Sequence, residues 1–158
     1  MQDSNLRHQR LVSGVAWAFI VIAAWGVIRL PLNLLAEPTP VHPDDFAGSP
    51  VAGFLFGIAR PLMAVHLAIA VATLFAAVNM LSRKPWTRTY FGLLLLLLAE
   101  YAGLLTYMLI FEADGAGSAY LGIRIGLGVI ALGLGILSGL LGWRFLRGEA
   151  IRRIFESK

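Results

Sequence analysis

The feature that most constrains this chain is an apolar run from Thr89 to Phe111 that contains a single charged residue, Glu100. Eleven uncharged residues precede Glu100 within the run and eleven follow it. At about 1.5 Å per helical residue each half is roughly 16 Å long, so the whole run matches the ~30 Å hydrocarbon core of a bilayer. The run therefore predicts a transmembrane helix that holds a carboxyl group near the middle of the membrane.

The composition places the whole chain among integral membrane proteins. Of its 158 residues, 58% are hydrophobic and 14% are charged, which leaves too little polar surface for a soluble domain. The net charge of +4 does not indicate nucleic acid binding, because the basic residues flank apolar runs, where they act as topology signals. The chain has no cysteine and no visible set of zinc ligands, so we predict no metal and no cofactor.

Four apolar runs predict an all-α bundle of four transmembrane helices in a single membrane domain. Four prolines between the first two runs are incompatible with a continuous helix there and predict an outer loop. A short basic stretch after the second run and an acidic, glycine-containing stretch after the third predict turns. The predicted helices cover residues 11–35, 54–81, 89–111 and 119–143, the outer loop covers 36–53, and a basic amphipathic tail covers 144–158.

The distribution of charge predicts the orientation. Ten of the 13 Lys and Arg residues lie on one side of the four-helix zigzag, before the first helix, between the second and third, and in the tail. The loops of the other side hold five acidic residues and no basic residue. By the positive-inside rule both termini are expected in the cytoplasm, which predicts a multi-pass protein of the inner (cytoplasmic) membrane with its tail on anionic lipid.

Glu100 is the least expected residue of the chain. A charged side chain at a helix centre costs about 3 kcal/mol, so its carboxyl group is expected to face protein or water. His66 falls at a similar depth on the second helix and shares a face with Thr73, while the face of Glu100 continues to Tyr107. These four residues form a candidate intramembrane polar site. Glu100 is interpreted as a helix–helix hydrogen-bond partner, a carrier of protons or ions, or a catalytic or ligand-binding group. His66 is interpreted either as a lone packed histidine bonded to a nearby group or as a contact of Glu100 on the neighbouring antiparallel helix.

Three arginines, Arg29, Arg60 and Arg124, lie at the outer ends of uncharged spans, so we expect them at a similar depth. One interpretation is that they snorkel to outer headgroups or pair with the outer acids. The other is an arginine layer that binds an anionic group, such as a lipid phosphate or a carboxylate substrate. On the first helix, Trp25 and Asn33 share a face with Arg29 and would support its guanidinium group.

The fourth predicted helix is rich in glycine. Gly122 with Gly126, and Gly135 with Gly139, form GxxxG pairs. Such small residues let helix backbones approach closely in lipid, so they predict a packing surface. The partner is either another helix of this chain or another chain. Three glycines also recur every seven residues: Gly128, Gly135 and Gly142.

No phosphate-binding loop, nucleophile–base pair or redox motif occurs in the sequence. We therefore expect a non-catalytic subunit or accessory protein of a larger inner-membrane assembly rather than an enzyme. One alternative is a transporter or channel component that uses Glu100, with His66. Another is a membrane enzyme that acts on a lipid or quinone. The expected partners are the lipid bilayer and either other membrane subunits or further copies of the chain.

Overall fold

The computed structural model of the protein describes residues 2–36, 50–111 and 121–156, and this part of the chain is helical apart from short turns. Four of its helices are long and apolar enough to cross a membrane, which confirms the prediction of an all-α protein with four candidate spans. These spans are α1, α3, α4 and α5. The helices in chain order are α1 (Gln2–Leu35), α2 (Pro50–Gly57), α3 (Ala59–Leu81), α4 (Pro85–Phe111), α5 (Leu121–Arg147) and α6 (Glu149–Glu156).

Parts of the predicted loops lie outside the described residues. These are residues 37–49 of the outer loop, residues 112–120 with the acidic turn, and residues 157–158 of the tail. The acidic residues that predict the outer side of the membrane belong to the first two of these segments. The predicted orientation therefore stays a prediction.

A proline divides the second predicted helix. α2 ends at Gly57 and α3 begins at Ala59. Pro61 has no N–H to donate to the carbonyl of Gly57, four residues back, and in a regular helix its ring would clash with that carbonyl. The N–H of Ile58 donates to the carbonyl of Phe54 at 3.2 Å and closes the last turn of α2. The spanning helix is thus α3, with 23 residues.

The turn between α3 and α4 is short. Arg83 has a left-handed φ of 57°, and its N–H donates to the carbonyl of Met80 at 3.0 Å. The N–H of Lys84 donates to the carbonyl of Asn79 at 3.2 Å, so the two bonds together form a Schellman motif at the end of α3. Pro85 then begins α4 at the first helical position, where a missing N–H removes no intrahelical hydrogen bond.

The described chain forms two compact units, and α4 and α5 each contribute a segment to both. The first unit comprises Met1–Ala36, Arg60–Leu94 and Leu141–Lys158. Phe91 of α4 is fully buried in it, and its ring centroid lies 5.0 Å from that of Phe19 on α1. Buried small residues let the helices of this unit approach closely. On α1 and α3 they are Val12, Ala16, Ala23, Ala76 and Ala77.

The terminal helix α6 belongs to the first unit and packs against α1. A Cβ atom at Gly148 would collide with the carbonyl oxygen of Arg144, so the break between α5 and α6 requires glycine. Ile151, Ile154 and Phe155 of α6 are buried. The apolar face of the tail is therefore covered by protein. The predicted contact of its basic side chains with anionic lipid stays a prediction. Burial against another helix removes the same apolar area from water.

The second unit comprises Glu37–Ala59 and Leu95–Leu140. Within it α4 and α5 run antiparallel in close contact. The buried hydroxyl of Thr106 on α4 lies 2.8 Å from the carbonyl oxygen of Ala102 and 3.3 Å from that of Gly128 on α5, and it donates to both. Since the second acceptor belongs to the neighbouring helix, this hydroxyl ties the two helices together without leaving a polar group unpaired.

Candidate functional site

Glu100 lies on the exposed side of α4, near the middle of the helix. It makes no hydrogen bond or ion pair with the described residues of its own unit. The side of α4 that faces α5 carries small residues instead, among them Ala99 and Ala102. A structural hydrogen bond from Glu100 to α5 is therefore absent from the described part of this unit.

The face that Glu100 occupies is built from large apolar side chains. Leu97 and Leu104 lie one turn to either side of it, and their side chains are 53% and 38% exposed. Tyr107 lies two turns further along the same face and is half exposed, with its ring 5.6 Å from that of Phe111. Of the four predicted site residues, the structure thus places Glu100 and Tyr107 on one face of one helix.

Thr73 has a partner that the sequence did not indicate. Its hydroxyl lies 2.8 Å from the hydroxyl of Tyr90 on α4, and Thr73 is buried. His66 is half-buried two turns earlier on α3, and both residues belong to the first unit, whereas Glu100 and Tyr107 belong to the second. The predicted contact between His66 and Glu100 stays a prediction.

Arg29 and Asn33 on α1 are both exposed. The guanidinium carbon of Arg29 lies 5.7 Å from the centroid of the Trp25 ring, a cation–π distance. Trp25 is one turn closer to the centre of the apolar span, so the guanidinium group is directed into the span rather than towards its end. The ring of Trp25 thus lies beside the guanidinium group of Arg29. Snorkelling and an arginine layer both stay hypotheses.

Arg29 and Arg60 lie at different levels of the first unit. Arg83 donates to the hydroxyl of Ser13 at 3.5 Å, and a Cβ atom at Gly26 would lie 3.3 Å from the Cβ of Ala70. Both contacts fit one antiparallel register of α1 and α3, in which Arg29 lies opposite residue 67. Arg60 lies seven residues before residue 67, at the start of α3, which is about 10 Å away at the rise of an α-helix. The expected common depth of the arginines in the membrane stays a prediction.

Arg124 forms a hydrogen bond to the C-terminal end of α4. Its guanidinium group donates from Nη2 to the carbonyl oxygen of Leu109 at 2.7 Å. Leu109 belongs to the last turn of α4, whose carbonyl groups have no partner within the helix. A cation at this position also interacts favourably with the helix dipole. The described contact of Arg124 is thus a helix cap.

The two glycine pairs of α5 have different surroundings. A Cβ atom at Gly135 would lie 3.1 Å from the Cβ of Ala102, and one at Gly139 would lie 3.6 Å from the Cβ of Ala99. By contrast, no atom from another described helix lies within 4 Å of the Cβ position at Gly122 or Gly126. Gly135 and Gly139 therefore face α4 within the same unit, and Gly122 and Gly126 are exposed.

The sequence interpretation missed two kinds of feature. One is the exposed face of α4 around Glu100, on the side away from α5, which we call the outer face of α4; the other is a pair of hydrogen-bonding residues. Tyr90 and Thr106 are polar residues within a predicted span, and this is the signal that would have found them. The residues around Glu100 follow a spacing of alternating threes and fours that is visible in the sequence. The described residues contain no group of three His, Asp or Glu that could hold a metal ion.

No family model, curated protein or solved structure matches this chain. The functional conclusion therefore rests on the geometry of the molecule itself.

Proposed function

We propose that this protein is a non-catalytic subunit or accessory protein of a larger inner-membrane assembly. The observation that carries the proposal is the exposure of Glu100 in the middle of α4 without a partner in the described part of its unit. A charged side chain facing hydrocarbon at the centre of a span costs about 3 kcal/mol. A partner helix that covers this face and offers a donor or a cation removes that cost.

The exposed pair Gly122 and Gly126 supports the same proposal. Both glycines lie in α5, and the space beside them is open. In lipid, helices associate through close backbone approach at such small residues. The inward pair of α5 is already used against α4, so this outward pair is available to another chain.

We infer from the charge asymmetry that both termini are cytoplasmic and that the membrane is the inner one. In this orientation α6 lies at the cytoplasmic face. Arg152 and Arg153 of α6 are exposed, and they form i,i+4 ion pairs with Glu156 at 2.7 Å and Glu149 at 3.8 Å. The basic side chains of this helix are thus accessible to anionic lipid headgroups.

The proposal is tested by purifying the tagged protein in a mild detergent and measuring the intact complex by native mass spectrometry. We expect a complex that contains other chains in fixed stoichiometry with this one. Repeating the measurement after extraction in lipid nanodiscs controls for loss of subunits in detergent. The mass of a single chain, 17.1 kDa plus the tag, under both conditions would contradict the proposal. Proton flux through proteoliposomes of the pure chain, abolished by Glu100→Gln, would replace it with the transport alternative.

A further inference from the structure

We propose that a second copy of this chain packs on the outer face of α4 and that Arg29 of that copy pairs with Glu100. The inference deepens the proposed function, on which it rests for the premise that this face is covered by protein. It names the occupant of the face and the chemistry that holds it there.

The outer face of α4 has the spacing of a helix-packing seam. Its residues follow one another at intervals of four, three, four, three and four, which is the heptad spacing of a left-handed helix pair. All of them are exposed. The seam, in order along α4, consists of Leu93, Leu97, Glu100, Leu104, Tyr107 and Phe111. It runs nearly the whole length of the helix, with the carboxyl group among its central members.

Charge complementarity points to Arg29 as the partner of Glu100. Of the three arginines that the sequence places at the outer ends of spans, Arg124 caps the end of α4, and Arg60 lies in the first turn of α3. Arg29 is exposed, lies six residues before the end of α1, and directs its guanidinium group towards Trp25 and the centre of the span. Ionisable groups within membranes pair with one another, since each is costly to leave in hydrocarbon alone.

The difference in depth between the two residues in a membrane is short enough for their side chains to meet. α1 and α4 are the first and third spans, so they cross the bilayer in the same direction. Arg29 is six residues from the end of α1, and Glu100 is eleven residues from the end of α4. The difference of five residues is about 7.5 Å along a helix, which the long arginine side chain and the glutamate side chain bridge together. The bilayer sets this comparison, because each span is positioned by its own apolar length.

A symmetric contact between two α4 seams is less favourable. It would bring two Glu100 carboxylates together, and like charges at close range repel each other most strongly in a low-dielectric medium. The contact between α4 and α1 places opposite charges together instead. Each copy offers both surfaces, so one contact leaves an α4 seam and an α1 face free for a further copy.

The test exchanges the two charges and measures the yield of a disulfide cross-link in native membranes. Because the chain has no cysteine of its own, only the introduced cysteines can form the cross-link. Two differently tagged copies are co-expressed, one with Ile28→Cys on α1 and one with Leu104→Cys on α4. Both positions are exposed, and by distance from the helix ends they lie at the same level. We expect a cross-link between the tags on oxidation. The control pair replaces Leu104→Cys by Leu132→Cys on α5, which should yield none.

The charge exchange is then introduced into both copies. Arg29→Glu alone and Glu100→Arg alone should each lower the cross-link yield about tenfold or more, because each opposes like charges. The double variant should restore it to within a few fold of the original. Arg60→Glu is the matched control and should change nothing. If a single exchange prevents folding, Arg29→Gln and Glu100→Gln remove each charge at nearly constant size, and each should lower the yield.

Equal yields in the original and the single variants, or no recovery in the double variant, would overturn the pairing. The outcome is separable from that of the proposed function. If other chains co-purify in fixed stoichiometry but the cross-link yield does not change with the charge exchange, the assembly proposal stands and this inference is refuted. If the cross-link yield falls in the single variants and recovers in the double variant, in a complex that contains only this chain, this inference stands and the assembly proposal is contradicted.

Discussion

Replacing Gly135 by leucine tests whether α4 and α5 pack as closely as the structure has them. A Cβ atom at this position would lie 3.1 Å from the Cβ of Ala102 and 3.4 Å from the carbonyl oxygen of Ala99, which is tighter than ordinary contact. The further atoms of leucine have no room without separating the helices. Overpacking of this kind costs about 1–3 kcal/mol. Leucine also has a higher helix propensity than glycine, by up to about 1 kcal/mol, which works in the opposite direction.

Gly126→Leu is the matched control for the gain in helix propensity, because no atom from another described helix lies within 4 Å of its Cβ position. Both variants receive the same change in helix propensity, and only Gly135→Leu receives the clash. We therefore expect Gly135→Leu to be less stable than Gly126→Leu by about 1–3 kcal/mol in reversible unfolding by SDS in mixed micelles. Gly139→Ala, with a contact at 3.6 Å, should not destabilise the protein. Equal stability of the two leucine variants would refute the close α4–α5 contact.

Three further predictions follow from other contacts. A double-mutant cycle of Thr73→Val and Tyr90→Phe should give a coupling free energy of about 0.6–1.7 kcal/mol, and a value near zero would contradict their 2.8 Å hydrogen bond. Phe155→Ala removes a buried ring from α6 and should destabilise its packing on α1 by about 3–5 kcal/mol, measured as faster proteolysis of the C terminus in detergent. A cysteine at Ser118 should react with an impermeant thiol reagent outside intact cells and one at Ser82 only after lysis; the opposite pattern would reverse the proposed orientation.

The sequence predicted the number of spans, because each is an apolar run bounded by charge or by turn residues. It also located Pro61, whose effect on the carbonyl four residues back explains why α2 and α3 are separate. It did not reveal which side of each span faces the protein. In a soluble helix the buried face is the apolar one, whereas both faces of a membrane span are apolar, so periodicity carries little information. The inward position of Gly135 and the outward position of Gly126 are therefore known only from the structure.

The sequence also does not reveal what covers the apolar face of α6 or on which side of α4 Glu100 lies. The spacing of Ile151, Ile154 and Phe155 predicts one apolar face, but lipid and protein cover such a face equally well. Glu100 is assigned to the middle of a span by counting residues, while the side on which it lies depends on the packing of its neighbours. Ala99 and Ala102 pack against α5, and they leave Glu100 on the other side of α4.

The two sides of α4 differ in a way that assigns a particular role to Glu100. The inner side has small residues, and it gains stability from close contact between backbones. The outer side has large residues such as Leu97 and Leu104, which contact lipid tails almost as favourably as they would contact another helix. Apolar contact on that side therefore provides little net drive for association. In the proposed contact, the affinity and specificity of the helix that binds there depend on the polar groups that lipid does not satisfy, first of all the carboxyl group of Glu100.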